Sequence, residues 1–197
     1  MLSMWYAVGL GNPGKEYEVS RHNAGWMAVE LLRQKLDLPK FKSHPKFSCN
    51  LSRSSEVTLV QPTTYMNESG TAVRSLLHYY ESPSSIQELM AQQLFVFHDD
   101  LDLELGSYKL QLGKGPKVHN GLLSLYTHLG TEQFWHVRIG VDTRGGDRTI
   151  PAANFVLQPF SQTESGVFYT VVAQCIDDVI SHVSSSAPER DSSLHTR

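Results

Sequence analysis

The sequence predicts a single α/β domain with a mixed, mostly parallel twisted sheet and helices on both faces. Strand-like apolar segments alternate with helical segments along the chain, and this alternation is typical of α/β folds. Residues 4–10 and 94–97 are apolar runs, as expected of strands buried on both faces. With 197 residues and 40% hydrophobic content, the chain is long enough for one domain with a substantial core.

The first half of the chain predicts two helices, each preceded by strand segments. The first apolar run ends at glycines, which is typical of a strand that leads into a loop. The next segment has apolar residues at helical spacing with Pro39 beyond its end, and the spacing recurs after Asn67. The predicted elements are a strand at 4–10, a helix at 23–38, two strands within 46–61 and a helix that begins at Asn67.

The second half of the chain continues this alternation. Ser161 and Glu164 form a capping-box pattern ahead of a long apolar stripe, which predicts the final helix. The predicted elements are strands at 94–100, 106–112 and 134–141 and helices at 119–129 and 161–183.

Composition bounds the organisation and the partners of the chain. Residues 1–183 are expected to form the domain, and residues 184–197, which lack a core-forming pattern, a disordered tail. The net charge of −3 argues against nucleic-acid binding over the whole surface, so any such site is a local patch. Cys49 and Cys175 are expected to be buried free thiols. No apolar run is as long as a membrane span and the N-terminus lacks a signal-peptide pattern, which predicts a cytoplasmic protein.

Glycines in "GLGNPG" match the spacing of a dinucleotide-binding turn. That turn requires its third glycine to open a helix that binds the pyrophosphate, and an acidic residue at the end of a second strand. Here Pro13 removes a backbone donor, "KEYEVSR" separates Gly14 from the next helix, and Glu30 lies within a helix. The glycines therefore favour turn geometry over a nucleotide site, and no cofactor is predicted.

Polar residues recur at the ends of the predicted strands and the starts of the following helices. Singly, each has a structural explanation as a turn residue or a helix N-cap. Together they are expected on one rim of the sheet, where the sites of α/β proteins lie. These residues are Asn12, His22, Asn23, Asn67, Asp99, His119 and Asn120.

A contact between His22 and Asp99 would make His22 a general base for water, because the carboxylate fixes the imidazole tautomer and stabilises its cation. The amides of Asn12, Asn67 and Asn120 could then hold a substrate carbonyl or a developing oxyanion. The sequence has no "GxSxG" motif and no reactive-cysteine setting, so attack by activated water is the simplest hydrolytic mechanism.

The segment from His98 to Asp102, "HDDLD", raises a metal-dependent alternative, because it resembles the His-Asp pairs of metal phosphohydrolases. Further ligands at i, i+4 on a neighbouring helix are not evident. Adjacent strand residues also point to opposite faces, so His98 and Asp99 need not share a site. We therefore predict no metal site, and a metal phosphohydrolase stays an alternative.

Five blocks of the sequence resemble the successive signature blocks of the bacterial-type peptidyl-tRNA hydrolase family. They are "VGLGNPGKEYEVSRHNAGW", "QPTTYMNESG", "VFHDDLDLELG", "HNGLLSL" and "VRIGV", in family order from residue 6 to about residue 160. The resemblance implies a monomeric, cofactor-free cytoplasmic enzyme of translation, which cleaves the ester between a peptide and the terminal ribose of tRNA. A non-catalytic RNA-binding relative of this fold is the other alternative.

By the same resemblance, His22 matches the general base and Asp99 the residue that stabilises its basic form. Asn12 matches a residue that discriminates substrate, and several positions match contacts with the peptidyl-tRNA end. The latter are Tyr17, Tyr65, Asn67 and Asn120, with His119 beside them.

Family members also bind the tRNA acceptor end through basic residues near the final strand. By position, Arg138 and Arg148 are the best candidates for phosphate contacts. Lys109, Lys114, Lys117 and Arg144 are further candidates. The loop "GKGPKVHNG" departs from the family, which usually has paired glycines where this chain has Lys117 and Val118, and this puts the mobility of the loop in question.

Overall fold

A seven-stranded sheet forms the centre of the computed structural model, which describes residues 4–82, 86–147 and 149–185. The strand order is β2-β3-β4-β1-β5-β7-β6. The central strands β4, β1, β5 and β7 are parallel, and β2, β3 and β6 add antiparallel pairs at the two edges. The strands are β1 (Trp5–Gly9), β2 (Lys42–His44), β3 (Cys49–Arg53), β4 (Val57–Pro62), β5 (Leu94–Glu104), β6 (Tyr108–Leu112) and β7 (Trp135–Asp142).

Helices cover both faces of this sheet, which confirms the predicted fold class. Two of them, α1 and α6, pack on one face, and α2, α3 and α4 pack on the other. The helices are α1 (Ala24–Lys35), α2 (Ser69–Tyr80), α3 (Ile86–Gln93), α4 (Asn120–Leu129), α5 (Ala152–Val156) and α6 (Gln162–Ser185). No helix within the described ranges has the length and apolar character needed to span a membrane.

The predicted capping box before α6 is present. The backbone N–H of Ser161 donates to Glu164 Oε2 at 2.7 Å, and the backbone N–H of Glu164 donates to Ser161 Oγ at 3.2 Å. These reciprocal bonds satisfy two donors at the start of the helix. The helix continues to Ser185, two residues beyond its predicted end, and the rest of the predicted tail, residues 186–197, lies outside the described part of the chain.

Three short elements were missed from the sequence: β2, α3 and α5. The edge strand β2 has three residues and is largely exposed, so it lacks an apolar pattern. With eight and five residues, α3 and α5 are too short for a helical period to repeat clearly. Of the three, α5 matters for the site, because it borders the cleft described below.

Two glycines, Gly9 at the end of β1 and Gly25 in the first turn of α1, allow this helix to approach the central strands closely. A Cβ on Gly9 would lie 2.3 Å from the carbonyl oxygen of Gly25, and one on Gly25 would lie 2.2 Å from that of Phe97. Neither position has room for a side chain. Gly9, the first glycine of the pattern, is thus required by helix-to-strand packing, whereas Gly14 has a positive φ of 118° and serves the predicted turn. The packing places the residues just before α1 against β5.

Candidate active site

Polar side chains from five separate segments meet in a cleft of about 420 Å³. The segments follow β1, precede α1, α2 and α4, or belong to β5. Because the central strands are parallel, the polar residues after them lie along one edge of the sheet. The residues that line the cleft include Asn12, His22, Asn67, Asp99, His119 and Asn120.

His22 and Asp99 form the hydrogen bond that the sequence predicts. His22 lies in a 3-10 turn, Arg21–Asn23, and its Nδ1 is 2.9 Å from Asp99 Oδ1. Burial lowers the pKa of His22, but the charge of Asp99 and the hydrogen bond to it outweigh burial, so the pKa lies above its usual value. Burial likewise raises the pKa of Asp99, and the two neighbouring histidines hold it far below its usual range. Asp99 is therefore ionised at neutral pH.

His119 is the second hydrogen-bond partner of Asp99, at 2.9 Å from His119 Nε2 to Asp99 Oδ1. The other ring nitrogen, Nδ1, accepts the backbone N–H groups of Gly121 and Leu122 and caps helix α4. Because Nδ1 accepts, Nε2 carries the proton and donates to the carboxylate. The helix cap thus fixes the tautomer of His119.

Asn12 is held by three hydrogen bonds. Its backbone N–H donates to Asn23 Oδ1 at 2.8 Å, and Asn23 Nδ2 donates to the carbonyl of Asn12 at 3.0 Å. The backbone N–H of Met66 donates to Asn12 Oδ1 at 2.8 Å. With Oδ1 occupied, the Nδ2 group of Asn12 is the donor left for a substrate. The sequence offered Asn23 only as a rim residue or a helix cap, and its role in holding Asn12 depends on a tertiary contact.

The two predicted tyrosines lie outside the lining of this cleft. Tyr65 directly precedes Met66 and is 61% exposed, and Tyr17 ends the 3-10 turn Lys15–Tyr17 and is partly exposed. Asn67 and Asn120, in contrast, both line the cleft and are exposed. The structure therefore brings the amides together and leaves the aromatic rings further out.

An apolar wall completes the cleft, and the sequence did not predict it. Val118 directly precedes His119 and is 86% exposed, and Leu157 directly follows α5. The segment that contains α5 has no helical period, so nothing in the sequence placed it at the site. The apolar residues that line the cleft are Met66, Leu101, Pro116, Val118, Ala152, Ala153, Val156 and Leu157.

The predicted phosphate contacts differ in how free their charges are. Arg138, on β7, is only 6% exposed; its Nε donates to Asp100 Oδ2 at 2.7 Å and its NH1 to Gln111 Oε1 at 2.7 Å. The guanidinium of Arg144 is bound in the same way by Asp142. Lys109, Lys114 and Lys117 are exposed, and Arg148 lies outside the described residues.

The acidic segment of β5 does not form the cluster that a metal phosphohydrolase would need. His98 is buried and its Nδ1 donates to the backbone carbonyl of Asp99, whereas Asp100 pairs with Arg138. Among the described residues, the potential ligands that do meet are His22, Asp99 and His119, within 4.8 Å of one another. Their facing atoms are already joined by two hydrogen bonds, which a metal ion would have to displace.

Comparison with known proteins gives consistent matches. Residues 6–196 match the family model described as peptidyl-tRNA hydrolase. A protein named peptidyl-tRNA hydrolase from Rickettsia bellii (strain RML369-C) is 38% identical over 180 residues, 89% of each chain. One of the same name from Bacillus pumilus is 41% identical over 160 residues, 80% of each chain. The crystal structure of peptidyl-tRNA hydrolase from Acinetobacter baumannii superposes with a TM-score of 0.79 at 31% identity, over 94% of this chain and 91% of that one.

Proposed function

The chain belongs to the peptidyl-tRNA hydrolase family and hydrolyses peptidyl-tRNA, and from this premise we propose that His22 is the general base that activates the attacking water. The observation that supports this role most directly is the 2.9 Å contact between His22 Nδ1 and Asp99 Oδ1. With Nδ1–H donating to the carboxylate, Nε2 keeps the lone pair that accepts a proton from water.

In this proposal water is the only reactant besides the ester. One proton of the water passes to His22 Nε2 while the water oxygen attacks the ester carbonyl carbon, and the ionised Asp99 stabilises the imidazolium that forms. When the tetrahedral intermediate collapses, its bond to the ribose oxygen breaks and that oxygen takes the proton from Nε2. The products are a peptide with a free carboxyl group and a tRNA with a free hydroxyl group.

Side-chain amides supply the donors for the carbonyl oxygen. Asn12 Nδ2 is positioned by the bonds from Met66 and Asn23, and it stabilises the negative charge that develops on the carbonyl oxygen. Asn67 and Asn120 add adjustable donors along the cleft. Tyr17 and Tyr65 contact the peptidyl-tRNA end further from the ester, in keeping with their places outside the cleft lining.

Exposed lysines on and after β6 contact the phosphates of the tRNA. Lys109, Lys114 and Lys117 carry charges that are open to solvent, and such contacts are sequence-independent. Arg138 acts indirectly in this scheme, because its guanidinium is already bound by Asp100 and Gln111. Arg148 remains a candidate on its sequence position alone.

The test is His22→Ala. We expect kcat for peptidyl-tRNA to fall by at least about 100-fold while binding is retained, since the base is lost and the binding groups stay. His44→Ala, on the edge strand β2, is the control and should keep wild-type turnover. Near-normal turnover of the His22 variant would contradict the proposal.

The enzyme acts as a monomer in the cytoplasm, without an obligate protein partner. Every residue proposed above for hydrolysis belongs to this chain, so the chemistry requires no group from a second subunit. Light scattering of the active fraction should give the mass of one chain, and a concentration-dependent specific activity would argue for an assembly.

A further inference from the structure

A second groove, of about 480 Å³, lies on the face of the sheet that carries α2 and α4. Its walls are the 3-10 turn Pro45–Phe47, the outer side of α2 and the last turn of α4. Beside the rings of Phe47 and Tyr79, its polar lining comprises Lys46, Thr71, Arg74, Ser75, His78 and His128. Together these residues form what we call the α2 groove.

The α2 groove is cationic, although the whole chain has a net charge of −3. None of the described residues that line it is acidic. Lys46 and Arg74 are exposed, and neither has a carboxylate partner within the described part of the chain. In contrast, the arginines near the cleft, Arg138 and Arg144, are both bound by aspartates. The α2 groove thus presents charges that are free to bind an anion.

An exposed aromatic ring lies beside these charges. Lys46 Nζ is 3.7 Å from the centroid of the Tyr79 ring, and Tyr79 is 57% exposed. Such a cation–π contact holds the ammonium group over the ring while both remain accessible. Cations combined with an open aromatic face are typical of surfaces that bind single-stranded or looped nucleic acid, where phosphates and bases are contacted together.

Helices α2 and α4 connect the candidate active site to the α2 groove, because both begin beside the cleft and line the groove further along. Helix α2 begins two residues after Asn67, and its exposed face carries Thr71, Arg74 and His78 at successive turns. At about 1.5 Å per residue, Arg74 lies about 8 Å and His78 about 14 Å along the helix from Ser69. A substrate whose ester lies at the start of α2 therefore contacts the α2 groove only through nucleotides beyond the esterified one.

We propose that the α2 groove binds the phosphate backbone of peptidyl-tRNA at nucleotides away from the esterified end. Arg74 and Lys46 contact the phosphates, and Tyr79 packs against a base or ribose. This inference rests on the hydrolysis of peptidyl-tRNA and adds a second RNA contact, separate from the lysines on and after β6. RNA fits better than an acidic protein, because the substrate bound at the start of α2 itself carries a phosphate at every nucleotide beyond the ester.

The test measures kcat and KM of the double variant Lys46→Gln/Arg74→Gln and of the wild type on two substrates. For full-length peptidyl-tRNA we expect KM to rise about tenfold with kcat unchanged, and the dependence of log(kcat/KM) on log salt to become less steep by about one to two, since up to two phosphate contacts are lost. For the peptidyl ester of adenosine, which carries no phosphate that could reach the α2 groove, both constants should stay at wild-type values.

The matched control is Arg33→Gln/Lys35→Gln, which removes the same charge from α1 on the other face of the sheet. The proposal is overturned if this control raises KM equally, if both substrates of the groove variant respond alike, or if KM and salt dependence do not change. It is also overturned if oligoglutamate competes for the α2 groove better than deacylated tRNA. Loss of the hydrolysis itself is a different result, because His22→Ala, unlike the groove variant, should remove activity on both substrates.

Discussion

At the scale of single residues, the site depends on which nitrogen of each histidine carries a proton. The cap on α4 requires His119 Nδ1 to accept, so His119 donates through Nε2 to Asp99. Asp99 thus receives two N–H groups on one oxygen, and it orients His22 without needing a proton itself.

The pH dependence of catalysis should report the pKa of His22. The base works only when neutral, and its pKa is raised by Asp99, so kcat/KM should rise with pH to a midpoint above the ordinary histidine value. In Asp99→Asn the stabilising charge is gone and burial dominates, so the midpoint should shift to lower pH while the plateau falls at least about 100-fold. An acid limb that does not move between the two proteins would contradict the assignment.

Replacement of His119 by Asn separates its two contacts. Asparagine can still cap α4, but its shorter side chain no longer donates to Asp99. Asp99 then keeps only the hydrogen bond from His22, and its charge stabilises protonated His22 more strongly. The pKa of His22 therefore rises, and the acid limb should move to higher pH, with kcat about tenfold lower. His119→Ala also removes the cap and should cost about 1 kcal/mol more in the free energy of unfolding by urea titration. A pH profile equal to wild type would exclude this role.

Chelation tests the metal alternative, because His22, Asp99 and His119 are also the described group that could bind an ion. Their hydrogen bonds explain the arrangement without one, so EDTA should leave the hydrolysis of peptidyl-tRNA unchanged at fixed low magnesium. The control is the same assay with zinc added in excess, which should inhibit by displacing the two N–H groups. Loss of activity on chelation, restored by one metal, would favour a metal enzyme.

At the scale of elements, the turn that carries His22 is tied to the segment between α5 and α6. Arg21 donates to the carbonyls of Gln158 and Pro159 at 3.2 and 2.8 Å and pairs with Glu164 at 2.5 Å. Its guanidinium carbon also lies 4.4 Å from the centroid of the Phe155 ring. The buried Arg21 side chain thus connects the turn that carries His22 to helix α5, which contributes to the apolar wall of the cleft.

Removal of that side chain should therefore affect both stability and substrate binding. We expect Arg21→Met to lower the free energy of unfolding by about 3 kcal/mol, because two carbonyls and Glu164 lose a buried partner. KM should rise as the α5 wall loosens, which a loss of stability alone would not cause. Lys35→Met, which removes an exposed pair with Asp177, should cost less than about 1 kcal/mol. Equal unfolding curves for the two variants would contradict the coupling.

At the scale of the whole molecule, the strand order brings distant segments together. Strand β1 lies between β4 and β5 in a parallel arrangement, so the loops after these strands share one edge of the sheet. Asn12, Asn67 and Asp99 meet there although they are far apart in the sequence. Helices α2 and α4 start at this edge, and the α2 groove lies further along them, away from the cleft.

The sequence by itself determined the α/β class, the long elements and the polar residues at one rim, because hydrophobic periodicity and strand-end polarity are local signals. Asn23, the short helix α5 and the pairing of Arg138 with Asp100 were decided by tertiary structure alone. Each depends on a partner that lies elsewhere in the chain, and no local pattern specifies that partner. The hydrogen bond between His22 and Asp99 lies between these cases: the residue types suggested it, and the close packing of α1 on β5 brought the two atoms within 2.9 Å.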